Sequence, residues 1–108
     1  MAVTVWHNPR CSKSRAALAY LEERGITPEV RLYIKDAPSA ADISDMLAAL
    51  GLPAAALLRK DGAATKDHPD DRIIAAMVAE PALIERPVIR RGDKAVIGRP
   101  TEAIDGLF

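Results

Sequence analysis

The stretch from Val3 to Ile34 constrains this chain more than any other. Val3-Thr4-Val5-Trp6-His7 alternates in character and is rich in β-formers, so it reads as a strand. Asn8-Pro9 breaks that strand. From Ser12 to Arg24 the periodicity becomes helical, with Ala17, Leu18, Leu21 and Ala16 on one face, and Gly25 supplies a left-handed cap. Val30 to Ile34 reads as a second strand of β-branched and apolar residues. A strand, a helix and a strand joined this tightly form a right-handed crossover, which makes the two strands parallel neighbours.

The middle of the chain is expected to be helical. Ser39 with Asp42 three residues on resembles a capping box, and Met46, Leu47 and Leu50 form an apolar stripe that ends at Gly51. Pro53 to Leu58 suggests a short second helix, and Asp61 to His68 a polar loop. Pro69-Asp70-Asp71 opens a further helix, with proline in the first turn and acids suited to the dipole. Ile73, Ile74, Met77 and Val78 are its expected buried side, and Pro81 stops it. Pro87–Arg90 and Lys94–Ile97 flank the turn signal Arg91-Gly92-Asp93 and read as a hairpin. Thr101 is the expected cap of a last helix, with Glu102 in its first turn. The order is βαβ, a helical block, then ββα. It predicts a single α/β domain over residues 1–108: a thioredoxin-like fold on a mixed four-stranded sheet, with a helical insertion at about 39–80 between the halves.

Composition bounds the function. The formal net charge is zero, which argues against a general nucleic-acid or membrane footprint. One cysteine cannot form an internal disulfide, and His7, Cys11 and His68 match no zinc spacing, so no bound metal or cofactor is expected. No apolar run approaches membrane-spanning length, and no basic segment followed by an apolar core precedes the first strand. The expectation is a cytoplasmic monomer with a reduced thiol.

That thiol is Cys11. The segment His7-Asn8-Pro9-Arg10-Cys11-Ser12-Lys13-Ser14-Arg15 joins the carboxyl end of a strand to the start of a helix, where open α/β sheets bind ligands. The first amides of a helix lack intrahelical partners and carry partial positive charge. A thiolate there gains both, and Arg10, Lys13 and Arg15 add basic neighbours that lower a thiol pKa. Ser14, at C-x-x-S spacing, lies where its hydroxyl can donate to the sulfur. His7 is read as orienting or electrostatically supporting the thiolate. The plainer alternatives are a small buried hydrophobe for Cys11, an exposed helix residue for Ser14, and a backbone-satisfied strand-end histidine for His7. The same amides and charges suit an oxyanion. A phosphatase-type C-x5-R loop is excluded, because Ala17 occupies the arginine position. With no second cysteine, anything bound to Cys11 must be released by an external thiol.

The loop resembles the active-site loop of the glutaredoxin-coupled ArsC arsenate reductases, in their short form. Leu57-Leu58-Arg59-Lys60, Ile84-Glu85-Arg86-Pro87 and Ile97-Gly98-Arg99-Pro100 resemble three further signatures of that family, in the same order. The resemblance implies that Cys11 attacks arsenate to give a thioarsenate. Glutathione, as thiol co-substrate, and glutaredoxin then resolve it to arsenite. It further implies that Arg59, Arg86 and Arg99 surround the oxyanion, which suits the bidentate fit of guanidinium to tetrahedral anions, and that His7 is the family histidine beside the cysteine. Pro87 is the candidate for a cis proline facing the thiol. Each arginine has a bland alternative: a helix-terminal charge for Arg59, solvated strand-edge charges for Arg86 and Arg99. Replacing Arg86 or Arg99 is expected to weaken oxyanion use while leaving Cys11 alkylation largely intact.

Two other functions compete. The related Spx regulators share the fold and contact RNA polymerase, but a C-x-x-C disulfide switch is impossible with Ser14 in place of the second cysteine. A thiol protein that carries glutathione on Cys11 without acting on arsenate would use the same arginines for carboxylates.

Overall fold

The structure, a computed structural model, describes residues 2–108 apart from the side chains of Asp61, Ala63 and Ala64. The parallel unit forms as expected. Strand β1 (Val3–Trp6) leads into helix α1 (Ser12–Glu23) and then strand β2 (Glu29–Arg31), which pairs parallel to β1 with Val5 opposite Val30. Gly25, at φ 73°, turns the chain out of α1 in the left-handed region that favours glycine. The hairpin strands β3 (Val88–Arg91) and β4 (Lys94–Ile97) complete a mixed sheet of order β2-β1-β3-β4, with β3 antiparallel to β1. Gly92, at φ 63°, opens the two-residue turn between them. This is the thioredoxin-like arrangement.

The two central strands explain how one sheet organises two cores. Val5 faces Ile89 in register, and both pack with Ala17 and Leu21 of α1 and with Ile104 and Leu107 near the C-terminus. One residue on, Trp6 faces Val88, and both point to the other side, against Ile43, Met46, Ile73 and Met77. Successive strand residues point to opposite faces, so a strand covered on both sides reads as continuously apolar. Helices α2 (Ala40–Leu50) and α3 (Asp70–Ala79), which supply that second layer, lie between β2 and β3 in the chain. The capping box at the start of α2 is complete: Ser39 Oγ accepts from the Asp42 N–H at 3.0 Å, and Asp42 Oδ2 accepts from the Ser39 N–H at 3.0 Å.

The structure corrects several local expectations. The second strand ends at Arg31 rather than reaching Ile34. The chain turns there, with the Lys35 and Asp36 amides donating to the Leu32 carbonyl, and Tyr33 enters the core while Leu32 and Ile34 stay exposed. Lys60–Thr65, most of it in the expected Asp61–His68 loop, forms a 3-10 helix that begins as the Gly62 amide donates to the Arg59 carbonyl at 2.9 Å. Ala54–Leu57 and the final Thr101–Leu107 are also 3-10 helices. Thr101 is the first residue of the last one rather than its cap, because the extended Pro100 precedes it without a side-chain acceptor. On α3 only Ile73 and Met77 are fully buried and Val78 faces solvent, and on α1 Ala16 is exposed. Among the described residues no helix is long and apolar enough to cross a membrane.

Candidate active site

Cys11 caps the N-terminus of α1. Its backbone is extended (φ −95°, ψ 122°), its carbonyl accepts the Arg15 amide at 3.0 Å, and its own amide donates to the Asn8 carbonyl at 3.0 Å. The Asn8 side chain tightens the same loop by accepting from the Arg10 amide at 3.0 Å. The half-buried sulfur therefore faces the first-turn amides, which have no carbonyl partners inside the helix. Partial burial pushes the Cys11 thiol up. The Ser14 amide, the Arg86 side chain, the Lys13 amide and the Arg86 charge pull it down, and the net result lies below the ordinary thiol value.

The arginines arrive from three separate segments. Leu58 and Ile84 form an isolated antiparallel bridge, with the Arg59 amide donating to the Leu83 carbonyl at 2.9 Å and the Glu85 amide to the Leu57 carbonyl at 2.7 Å. That bridge sets Arg59 beside Glu85 and Arg86. The turn after β4 brings Arg99 to the same place: its Nε donates to the Arg86 carbonyl at 2.8 Å, and its Nη2 approaches Cys11 Sγ at 3.5 Å. Arg59, Lys60, Glu85 and Arg99 line a cavity of about 230 Å³. The predicted site residues Cys11, Arg59, Arg86 and Arg99 are thus brought together. Arg86–Pro87 is a cis peptide, as expected, and Arg99–Pro100 is a second one that sequence reading missed.

The Ser14 hydroxyl is not placed as expected. Ser14 is fully buried, and its hydroxyl lies 2.6 Å from His7 Nδ1 while accepting the Asn8 amide at 3.0 Å. With its hydroxyl so engaged, Ser14 influences the sulfur through its backbone amide, which lowers the thiol pKa. Burial, aided by the nearby Arg15 charge, pushes the His7 imidazole below its ordinary value, so at neutral pH it is uncharged. His7 consequently serves the loop as a hydrogen-bonding brace rather than as a positive charge. Arg86 also bears on the thiol, since its hydrogen-bonding and its charge are among the influences that lower the Cys11 pKa.

Two residues escaped sequence reading. Glu85 accepts the Arg86 amide at 3.2 Å and pairs with Arg99 Nε at 3.3 Å, which steadies that guanidinium. Tyr33 is fully buried and donates to the Ile84 carbonyl at 3.4 Å. Burial raises its phenol pKa, partly offset by the Arg86 and Arg59 charges, so it is a neutral hydroxyl at physiological pH. Tyr33 lay within what read as a regular strand, and the turn after Arg31 carries it into the core. Glu85 carried no signal beyond its place next to Arg86.

The arrangement suits nucleophilic chemistry on an anion: a sulfur of lowered pKa at a helix start, with the Arg99 guanidinium beside it and Arg59 lining the adjoining cavity. Among the described residues there is no cluster of three histidine, cysteine, aspartate or glutamate side chains able to hold a metal ion. Comparison with known proteins agrees in kind. The ArsC family model matches residues 6–107. The arsenate reductase of Neisseria meningitidis serogroup A is 39% identical over 114 aligned positions, covering 98% of this chain and 97% of the relative. An Escherichia coli arsenate reductase is 34% identical over 109 positions, covering 94% of this chain and 77% of that protein. A solved structure of the arsenate reductase from Vibrio cholerae superposes with a TM-score of 0.92 at 36% identity, covering 100% of this chain and 98% of its own. The chain therefore belongs to the ArsC family.

Proposed function

We propose that the protein is an arsenate reductase in which Cys11 is the nucleophile and Arg59, Arg86 and Arg99 bind the oxyanion. The observation that carries this reading is the position of Cys11 Sγ, 3.5 Å from Arg99 Nη2 at the open end of a helix. The full-length likeness to proteins named arsenate reductase supports it.

The thiolate attacks arsenic. A sulfur–arsenic bond forms, an arsenic–oxygen bond breaks, and the departing oxygen leaves as water after protonation. The arginines neutralise the anion so that a negatively charged sulfur can approach it. Ser14 and His7 hold the loop that aims the sulfur. Arsenic(V) must gain two electrons to leave as arsenite, and a chain with one cysteine supplies only one thiol. Glutathione therefore provides the second, and the disulfide equivalent that results is reduced by glutaredoxin. The protein acts as a monomer in the cytoplasm, where a free thiol stays reduced.

The test is a coupled assay with arsenate, glutathione and glutaredoxin, omitting each in turn. Turnover requires all three and is lost in Cys11→Ser, because an alcohol is far less ionised than a thiol. Retained turnover in that variant would falsify the assignment of the nucleophile.

A further inference from the structure

We propose that the cleft running from Arg99 past Arg59 and Lys60 to Lys66 binds the external thiol, an extended molecule whose carboxylates pair with the two lysines while its sulfur points toward Cys11. This rests on the arsenate reductase reading and adds to it the place where the reductant sits.

The first observation is continuity. The cavity of about 230 Å³ beside Arg99 shares Arg59, Lys60 and Glu85 with a second cavity of about 250 Å³, which extends to Lys66 over Ala55 and Leu58. At its inner end Arg99 Nη2 is 3.5 Å from the sulfur.

The second observation is size. A water molecule occupies about 30 Å³, so the inner cavity of about 230 Å³ has room for about eight waters. A tetrahedral oxyanion has five heavy atoms. One held against Cys11 by Arg99 leaves the outer cavity, and much of the inner one, to something longer.

The third is charge. Arg59, Lys60, Lys66 and Arg99 line the two cavities, with Glu85 as the one carboxylate among the described lining residues. Glu85 is itself committed to Arg99 Nε at 3.3 Å. A cleft with this excess of cations concentrates anions, and the outer lysines are point charges suited to flexible carboxylates rather than to bidentate capture of an oxyanion. Ala55 and Leu58 give an apolar floor for an aliphatic backbone.

A larger cavity, about 400 Å³, is a different place. It lies against Pro9 and Arg10 and is walled by Leu32, Ile34 and Lys35, and its lining includes neither Cys11 nor any of the three arginines.

The test uses S-methylglutathione, which keeps both carboxylates and cannot react, titrated into the full chain with binding followed by calorimetry. Binding is expected without arsenate, and Lys60→Glu with Lys66→Glu is expected to weaken it about tenfold, equivalent to about 1.4 kcal/mol. Lys35→Glu is expected to leave it unchanged. Unfolding curves of each variant establish that the fold is intact. No binding to the unaltered chain, equal binding in the lysine variants, or a loss confined to Lys35→Glu would each overturn the proposal. Protection of Cys11 from alkylation by arsenate, measured in parallel, tests the oxyanion reading separately. Arsenate that fails to protect while S-methylglutathione still depends on Lys60 and Lys66 sinks that reading and leaves the cleft assignment standing.

Discussion

The Ser14 hydroxyl lies 2.6 Å from His7 Nδ1, and both side chains are buried beneath the loop that carries Cys11. The same oxygen accepts the Asn8 amide at 3.0 Å. One serine thus ties the end of β1 and the start of the loop to the first turn of α1. Ser14→Ala leaves the Asn8 amide and the imidazole nitrogen without their partner, and an unsatisfied buried polar group costs about 1–3 kcal/mol. Denaturant unfolding should register that loss, with a melting temperature lower by about 4–8 °C for each kcal/mol in a domain near this size. Unchanged stability would mean the pair is not a brace.

The two guanidinium groups nearest the sulfur should be separable by alkylation. Arg86 lowers the Cys11 pKa by a hydrogen bond and by its charge. Arg86→Ala should therefore move the pH midpoint of iodoacetamide alkylation upward and slow the reaction at neutral pH. Arg99 approaches the sulfur at 3.5 Å while its Nε is taken up by the Arg86 carbonyl and Glu85. Arg99→Ala should shift the midpoint less and reduce arsenate protection of Cys11 more. Equal midpoint shifts in the two variants would reverse this division of labour.

The sequence carried the parts of this site that depend on local rules. Val3 to Trp6, the break at Pro9 and the periodicity around Ala17 and Leu21 are short-range signals, and they placed Cys11 at a helix start. Which side chain faces the sulfur depends instead on three-dimensional packing. Ser14 has the spacing of a thiol partner, but burial and two nearby polar groups claim its hydroxyl first. Tyr33 was hidden because parallel pairing stops at Arg31, opposite Trp6 at the end of β1, and the chain turns there. Arg59, Arg86 and Arg99 were legible only through their family resemblance, since the Leu58–Ile84 bridge that aligns two of them joins residues far apart in the chain.

His7 should make stability depend on acidity. Its folded pKa is lowered, chiefly by burial, whereas the unfolded imidazole titrates near its ordinary value of about 6.5. Between those two values the unfolded chain binds the extra proton, so stability rises with pH across that window. The contribution is complete above about 6.5 and is lost as the pH falls through the lowered folded value. Denaturant midpoints measured from neutral to mildly acidic pH should decline for the natural chain, by at most about 1.4 kcal/mol per pH unit from this one group. His7→Gln, which cannot titrate, should flatten the decline. An equally steep decline in that variant would assign the pH dependence to other groups.

Gly98 links the core to both arginines. A Cβ there would lie 2.9 Å from Ile89 Cδ1 and 2.9 Å from Pro87 Cγ, and both neighbours are buried. Its amide also donates to the Pro87 carbonyl at 2.9 Å, so the two segments cannot simply separate. Gly98→Ala forces one of them to move, and such overpacking typically costs about 1–3 kcal/mol. Pro87 follows Arg86 and Gly98 precedes Arg99, whose Nε is bonded to the Arg86 carbonyl, so the displacement reaches both guanidinium groups. The variant should therefore melt earlier and also show a raised midpoint for Cys11 alkylation. Gly106→Ala, where an added Cβ meets nothing within 4 Å, is the matched control and should leave the alkylation profile unchanged. A Gly98→Ala protein that melts earlier yet keeps the natural alkylation profile would show that the arginines are held independently of this contact.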